Sequence, residues 1–143
     1  MTAQHMETFG SIDNVYAAKK ELPDSVCAGG GTCCFNTANA LAARMYSECG
    51  GRKISSGPNG DVRAEDVSVG SFGSAFTLRF PSGEKVRCKT RLLGRANVQN
   101  VTLAAAAAYD LGVSPADIAD VISELTPAEH RMQPIVSRGM TII

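Results

Sequence analysis

Residues 61–91 contain three segments in which apolar and polar side chains alternate or nearly alternate, and this pattern constrains the fold more strongly than any other. The segments read DVRAEDVSV, GSAFTLRFP and EKVRCKTRL, and the turn sequences GSFG and PSGE mark their boundaries. A period of two places apolar side chains on one face of a strand, and Gly- and Pro-containing links are typical of hairpin turns. The pattern predicts a three-stranded antiparallel meander over about residues 61–91.

The sequence before the meander alternates between predicted helices and short strands. Ser11 is a good N-cap, and Pro23 is predicted to end the first helix at Leu22. The stretch AGGGTCCFN predicts a glycine turn followed by a short buried strand at Thr32–Asn36. ALAARMY then predicts a helix, and GGRKISSG predicts a turn and a second short strand.

The sequence after the meander is predicted to be mainly helical. Asn97 is predicted to cap a helix over about residues 98–111, and Gly112 has the backbone freedom that a helix end requires. Ser114 and Pro115 are typical first residues of a second helix, and the final GMTII predicts a strand. Strands and helices that alternate around a meander indicate an α/β or α+β fold class.

Composition narrows the class of protein. A length of 143 residues fits one domain, and 14 Lys and Arg against 14 Asp and Glu do not suggest a nucleic-acid or anionic-membrane surface. The sequence has no apolar run of the roughly 20 residues that a membrane span needs, and no signal-peptide core. Its five cysteines include no CxxC pair, which predicts reduced, mostly buried thiols in a cytosolic protein and does not indicate a metal site.

Two glycine-rich stretches do not fit the pattern of a phosphate-binding loop. AGGGT precedes a predicted strand, and GSFGSAF lies in a predicted hairpin. A phosphate loop needs a GK[ST] ending that opens a helix, and the sequence has none.

Four residues or pairs admit both a structural and a functional interpretation. Lys19 follows Ile12, Val15 and Tyr16 on a helical stripe, so its amine either extends into solvent or is held neutral for modification. Asn97 either caps its helix or joins Asn100, one turn later, in presenting two amides to a ligand. The remaining two are His5, an ordinary polar residue or a metal ligand, and Arg131, a surface charge or a phosphate-binding residue.

Three stretches, AQHMETFGSIDNVYAAKKEL, GTCCFNTAN and LLGRANVQNVTLAAAAAYDLG, together resemble the central ATP-binding domain of the Mur ligase family. AQHMETFGSIDNVYAAKKEL and GTCCFNTAN are similar to the family's AHLE-FGS-EN-A-AK-E and GTAVLNADD stretches, in that order. LLGRANVQNVTLAAAAAYDLG and the segment after it resemble the family pattern G-x-H-N-x-x-N-x-x-A-A-x-A, followed by two helices and P-x-x-x-R. The matching residues in this last region are Gly94, Asn97, Asn100, Gly112, Pro127 and Arg131.

The resemblance implies an α/β fold and a role in an ATP-dependent ligase. The expected fold is a partial Mur ligase central domain, with a mostly parallel sheet flanked by helices plus the meander. In this family ATP phosphorylates a carboxylate, and an amine attacks the acyl phosphate. The FGS stretch is most similar to family members that add D-alanyl-D-alanine to UDP-N-acetylmuramoyl tripeptide in cytoplasmic peptidoglycan synthesis.

The resemblance also implies roles for individual residues. Lys19 matches a lysine that is carbamylated and binds Mg²⁺, and His5 matches a histidine that holds the same ion. Asn97 and Asn100 match the pair that contacts the adenine of ATP. Arg131 matches an arginine that reaches the terminal phosphate, so Lys19 and Arg131 are the expected catalytic residues.

The sequence also departs from the family pattern. The phosphate loop and the acidic DD-YN segment of the family are missing, Ala96 replaces a histidine, and Asn39 replaces an aspartate. We therefore expect residues 1–143 to be one domain, the second half of the central domain, and inactive on its own. The alternatives are a non-catalytic scaffold or self-associating module, and a Mur ligase that adds a different amino acid.

Overall fold

The computed structural model describes residues 10–128, 135–137 and 140–142 of the 143-residue chain. Two of the predicted site residues, His5 and Arg131, lie outside the described residues. The elements follow one another in the order α1 (Ile12–Ala28), β1 (Thr32–Asn36), α2 (Ala40–Glu48), β2 (Arg52–Ser56), β3 (Arg63–Gly70), β4 (Gly73–Arg79), β5 (Lys85–Thr90), α3 (Gly94–Asp110), α4 (Pro115–Glu124), β6 (Ile135–Ser137) and β7 (Met140–Ile142).

Strands β1 and β2 form a parallel pair over their full lengths. Parallel neighbours need a crossover connection, and α2 supplies it. Because side chains alternate across a strand, Cys33 and Phe35 of β1 face α1 and α2, whereas Cys34 packs against the core beneath α3. The parallel pair therefore lies between two helical layers, as an α/β fold requires.

The smaller core fixes α1 and α2 against β1. The phenol of Tyr16 donates to Glu48 Oε2 at 2.8 Å, and Arg44 Nε donates to Glu48 Oε1 at 2.8 Å. The Arg44 guanidinium also lies 4.4 Å from the centroid of the Tyr16 ring. These contacts hold the first turns of α1 on α2. The buried members of this core, called the small core, are Tyr16, Cys33, Phe35, Met45 and Cys49.

The predicted meander is confirmed. Strands β3, β4 and β5 pair in that order, each antiparallel to the next, and β3 carries a bulge between Glu65 and Ser68. One face of β4 is buried, and α3 and α4 pack with it to form the main core. The main core consists of Ile54, Val62, Phe76, Leu78, Phe80, Cys88, Val98, Val101, Ala105, Ala106, Ile118 and Ile122.

The first helix does not end where the sequence predicts. Helix α1 continues through Pro23 to Ala28, so the prediction that Pro23 ends it at Leu22 is wrong. Proline removes one helical hydrogen bond, but Val26 and Cys27 of the next turn pack against the small core. Burial of those side chains outweighs the local preference, as tertiary packing commonly does.

The predicted cap of α3 is also wrong. The helix begins at Gly94, with Leu93 at the N-cap position and no side-chain capping bond, so Asn97 lies inside the first turn. Leu93 is buried, and that packing fixes the start of the helix where a polar cap does not. Helix α3 ends at Asp110 with Leu111 at the C-cap, and Gly112 follows with a φ of +86°, so the predicted role of Gly112 just after the helix is confirmed.

The remaining predicted elements are confirmed. β1, α2 and β2 lie where the sequence places them, and α4 begins at Pro115, with the hydroxyl of Ser114 accepting from the N–H of Asp117. The C-terminal strand lies at Met140–Ile142 and pairs antiparallel with β6. None of the described helices has the length and apolar character needed to cross a membrane.

Candidate functional site

A cleft lies at the carboxyl ends of β1 and β2, where α3 packs against the parallel pair. Ligands of open α/β sheets bind outside the carboxyl ends of the strands, so this is the position expected for a site. The cleft has a volume of about 190 Å³, below the roughly 300–1,000 Å³ of complete small-molecule sites, so it holds only part of a nucleotide-sized ligand. Its lining includes Asn36, Ser56, Gly57, Arg95, Gln99 and Thr102.

Hydrogen bonds join the two loops that form the floor of the cleft. The Thr37 N–H and hydroxyl both donate to the Ser56 carbonyl, at 2.8 and 2.9 Å. The loop after β2 folds back on the end of that strand, because the carboxylate of Asp61 accepts hydrogen bonds from the N–H and the hydroxyl of Ser55, at 2.8 and 2.6 Å. The loops after β1 and β2 are therefore held at a fixed separation.

One polar atom in the cleft is buried and unpaired. Ser56 is 1% exposed, and its hydroxyl has no hydrogen-bond partner among the described residues. A buried hydroxyl without a partner costs about 1–3 kcal/mol, so this atom marks a point where a ligand atom or water is accommodated favourably. Arg95 and Gln99 line the α3 side of the cleft, where Arg95 is exposed and Gln99 is also exposed.

The predicted adenine-contacting pair lies on a different side of α3. At about 100° per residue, the cleft-lining positions Arg95, Gln99 and Thr102 are on nearly the opposite side of the helix from Asn97 and Asn100. The pair does share one face, as the sequence predicts. Asn97 is half-buried, and its Nδ2 donates to the Leu93 carbonyl at 2.8 Å, whereas Asn100 is exposed in a groove between α3 and α4.

Lys19 is exposed, so the interpretation that it lies on a buried apolar face is wrong. Of the predicted stripe only Val15 and Tyr16 are buried, because α1 contacts β1 and α2 there, while Leu22 is 71% exposed. The neighbouring Lys20 is engaged, since its Nζ donates to both carboxylate oxygens of Asp24 at 2.7 and 2.8 Å. That hydrogen bond raises the pKa of Lys20 and keeps it an ammonium ion.

Lys19 and the asparagine pair do not meet within the described structure. Lys19 lies on α1 and the asparagine pair on α3, and these helices pack on opposite faces of the parallel pair. His5 and Arg131 are outside the described residues. Asn39, which replaces an aspartate of the family pattern, caps α2 by accepting from the N–H groups of Leu41 and Ala42.

The described residues alone do not fit a Mg²⁺ ion. Mg²⁺ prefers oxygen ligands, and in residues 10–128 the one group of three or more clustered His, Cys, Asp or Glu side chains is Cys27, Cys33 and Cys49. A Mg²⁺ site that includes Lys19 therefore needs the carbamate and a ligand such as His5.

Sequence reasoning missed both the cleft and the thiol cluster. The cleft combines Asn36, Ser56 and Arg95 from three separate elements, and only the rule that ligands bind at strand ends points to it. The cysteines of the cluster are separated by six and sixteen positions, which matches no recognised metal motif.

A model of the Mur ligase middle domain matches residues 1–108 of the chain. UDP-N-acetylmuramoyl-tripeptide–D-alanyl-D-alanine ligase of Escherichia coli is 31% identical over 139 residues, covering 94% of the chain and 30% of that protein. UDP-N-acetylmuramoyl-L-alanyl-D-glutamate–2,6-diaminopimelate ligase of Neisseria meningitidis is 32% identical over 106 residues, covering 72% of the chain and 21% of that protein. The chain thus spans less than a third of the length of these relatives.

Solved structures agree with the sequence comparisons. A crystal structure of MurF from Acinetobacter baumannii superposes with a TM-score of 0.89 and 26% identity, covering 98% of this chain and 31% of the other. MurF from Thermotoga maritima in complex with ADP superposes with a TM-score of 0.79 over 99% of this chain and 32% of the other. At 14% identity, the second likeness concerns the fold alone.

Proposed function

This chain belongs to the Mur ligase family, and we propose that it forms part of a cytoplasmic, ATP-dependent ligase that adds D-alanyl-D-alanine to UDP-N-acetylmuramoyl tripeptide. The observation that carries the proposal is the likeness to MurF of A. baumannii. This likeness in fold and sequence extends over nearly the whole chain. A family member that adds a different amino acid is the alternative, because the diaminopimelate-adding relative is similar to a comparable degree.

The proposed reaction forms an amide bond in two steps. ATP phosphorylates the terminal carboxylate of the muramoyl peptide, and the amine of D-alanyl-D-alanine then displaces phosphate from the acyl phosphate. A protein accelerates such transfers mainly by positioning the reactants and by stabilising charge. The role of this chain in the proposal is to orient the nucleotide and to supply ligands near the transferred phosphate.

Asn97 and Asn100 are proposed to bind adenine. An amide side chain pairs well with adenine because it presents one acceptor and one donor group to the ring edge. The bond from Asn97 Nδ2 to the Leu93 carbonyl fixes the orientation of that amide and leaves its Oδ1 available to accept from the adenine amino group. Asn100 is exposed one turn further along the same face, so both amides can reach one ligand.

The other predicted residues are proposed to act at the phosphates. Carbamylated Lys19 and His5 would hold Mg²⁺, which supplies charge neutralisation at the phosphates when bound. Arg131 would donate to the terminal phosphate through its planar guanidinium. The exposure of Lys19 supports this role in one respect, because its amine is accessible to dissolved CO₂.

Titration of the ¹⁵N-labelled chain with ATP tests the adenine contact. The proposal predicts saturable shifts of the side-chain amide signals of Asn97 and Asn100. A double variant, Asn97→Ala with Asn100→Ala, should weaken ATP binding at least about tenfold, because each lost hydrogen bond contributes about 1 kcal/mol. Gln99→Ala, on the cleft side of α3, is the comparison variant and should weaken binding less than the double variant does. Shifts confined to Gln99 and Arg95 would place the base in the cleft and contradict this assignment.

We also propose that the chain alone does not turn over ATP. Its sequence has no GK[ST] phosphate loop, so the backbone N–H groups that normally surround the triphosphate have no counterpart in these 143 residues. The measurement is ADP formation by the purified chain with muramoyl tripeptide and D-alanyl-D-alanine. The expected result is a rate no higher than that of a sample without protein.

A second candidate function is that of a non-catalytic, self-associating module. The groove between α3 and α4 is mostly apolar, and Val121 beside it is 59% exposed. Leu111, at the end of α3, is 83% exposed. Exposed apolar side chains favour association, so light scattering that shows a dimer would support this candidate and a monomer at high concentration would contradict it.

A further inference from the structure

Three cysteine thiols meet beside the small core although they come from three different elements. Cys27 lies in the last turn of α1, Cys33 in β1, and Cys49 at the C-cap of α2. The Cys27 sulfur is 2.9 Å from that of Cys49 and 3.9 Å from that of Cys33, and all three sulfurs lie within 4.8 Å of one another. The fold therefore places three sulfur ligands around one point.

The cluster is shielded on most sides and open on one. Cys33 and Cys49 are each 7% exposed, whereas Cys27 is partly exposed and provides a path from solvent. The backbone at Gly51 packs directly on Cys27, since a Cβ at position 51 would lie 2.7 Å from the Cys27 sulfur. Only glycine at position 51 allows this approach without displacing the thiol.

We propose that Cys27, Cys33 and Cys49 bind one thiophilic metal ion, such as Zn²⁺, through three thiolates, with solvent as a fourth ligand on the Cys27 side. Thiolates select soft and borderline metal ions, and three protein ligands with one open position are common for Zn²⁺. Zn–S bonds of about 2.3 Å in tetrahedral geometry place ligating sulfurs about 3.8 Å apart.

The observed sulfur positions are close to what such an ion requires. The Cys27–Cys33 separation of 3.9 Å already matches, and the Cys27–Cys49 separation of 2.9 Å must open by about 1 Å. Cys27 can make that adjustment because it lies near the end of a helix and is only partly buried. A Cys27–Cys49 disulfide would use two of the thiols and leave Cys33 without a role.

A positive charge near the cluster also suits a metal ion. Three thiolates and one divalent ion carry a net charge of −1. The ammonium group of Lys53 donates to the carbonyls of Cys49 and Tyr46 at 2.8 and 2.7 Å, so a compensating positive charge stands beside the ligand loop. The Cys33 thiol donates a hydrogen bond to the Pro23 carbonyl at 3.6 Å in the metal-free chain, and this bond is given up when the thiol ionises to bind the ion.

The bound ion would connect α1, β1 and α2. Because the ligand set exists only in the folded chain, binding stabilises the native state and raises the thermal midpoint. This stabilisation does not depend on the ligase reaction, so it stands or fails separately from the proposed function.

The test uses the reduced, metal-free chain titrated with Zn²⁺ and, as a spectroscopic probe, Cd²⁺. We expect saturation at one equivalent, a thiolate-to-Cd²⁺ charge-transfer band, and a rise in thermal midpoint of at least about 5 °C with Zn²⁺. Three of the five thiols should become protected from a thiol reagent, and Mg²⁺ should have none of these effects.

Serine variants locate the ligands. Cys27→Ser, Cys33→Ser and Cys49→Ser should each weaken Zn²⁺ binding at least tenfold, whereas the matched controls Cys34→Ser and Cys88→Ser should keep one equivalent. Circular dichroism checks that each variant folds, and Cys27→Ser, at the most exposed position, is the least disruptive. Two results would overturn the proposal: no saturable Zn²⁺ binding, or unchanged binding in Cys27→Ser. It would also be overturned if Cys27 and Cys49 formed a disulfide in the presence of Zn²⁺ and no ion was bound.

Discussion

Thr37 and Gly57 are in such close contact that a Cβ on Gly57 would lie 2.7 Å from the Thr37 hydroxyl oxygen. Gly57 has a φ of +138°, a region that residues with side chains rarely adopt. The contact brings the loops after β1 and β2 together at the floor of the cleft, where Thr37 also donates two hydrogen bonds to Ser56. The position of the candidate site thus depends on a residue without a side chain.

Gly57→Ala should destabilise the chain by roughly 1–3 kcal/mol through backbone strain, with a further loss from the contact with Thr37. Gly50→Ala is the matched control, since no atom lies within 4 Å of a Cβ at that position, and its effect should stay within about 0.5 kcal/mol. Urea denaturation measures both values. Equal effects of the two substitutions would show that the loops adjust freely.

Phe76→Ala should lower the free energy of unfolding by about 3–5 kcal/mol, because Phe76 is fully buried in the main core and truncation leaves a cavity. Phe72→Ala removes the same atoms at a position that is 75% exposed, and its effect should be within about 0.5 kcal/mol. Urea denaturation distinguishes the two variants, because a shift of the unfolding midpoint at an unchanged m-value reports a change in stability. A small loss for Phe76→Ala would mean that the main core is not the principal source of stability.

The stability of the chain should fall as the pH rises from about 9 to about 11. Burial raises the pKa of the Cys88 thiol to about 11, whereas an unfolded chain ionises that thiol near pH 8.5. The stabilisation by the protonated thiol is complete below the unfolded pKa and is lost as pH approaches the folded pKa. The loss is on the order of 2–3 kcal/mol.

Comparison with Cys88→Ala isolates this contribution. The variant loses some packing at every pH, but the part of the alkaline decline that belongs to Cys88 should disappear. The measurement is the free energy of unfolding at several pH values between neutrality and pH 11. Parallel curves for the two proteins would show that Cys88 does not titrate differently in the folded and unfolded states.

Lys19→Arg should prevent carbamylation without removing the positive charge. With ¹³C-bicarbonate and Mg²⁺, the chain should show one carbamate signal that Lys19→Arg abolishes. Lys20→Arg is the matched control and should retain the signal, because the ion pair with Asp24 keeps Lys20 protonated and unreactive towards CO₂. Loss of the signal in Lys20→Arg, with the signal kept in Lys19→Arg, would show that Lys20 is the carbamylated residue and would contradict the prediction.

Sequence patterns predicted those elements whose local signals agree with their packing. The alternation in residues 61–91 predicted the meander, and the Ser114–Pro115 start predicted α4. Local signals failed where burial of a neighbouring side chain decided the outcome. Pro23 did not end α1 because the next turn packs against the small core, and Asn97 did not cap α3 because Leu93 is buried.

Lys19, Asn97 and Asn100 were predicted as functional residues from the family resemblance more than from their own periodicity. The apolar spacing around Lys19 gave a buried face that the structure does not have, because α1 buries only its first turns and its end. The three clustered thiols depend on how α1, β1 and α2 pack together. No spacing rule along the chain contains that information.

A segment exchange tests the central claim most directly, which is that this chain provides a working part of a Mur ligase active site. Residues 1–143 replace the superposed segment of A. baumannii MurF, and ADP formation is measured with UDP-N-acetylmuramoyl tripeptide and D-alanyl-D-alanine. The account predicts ADP formation that requires both substrates, is lost with Lys19→Arg and persists with Lys20→Arg. A folded chimera that binds ATP but forms no ADP, or one that is equally active with Lys19→Arg, would contradict it.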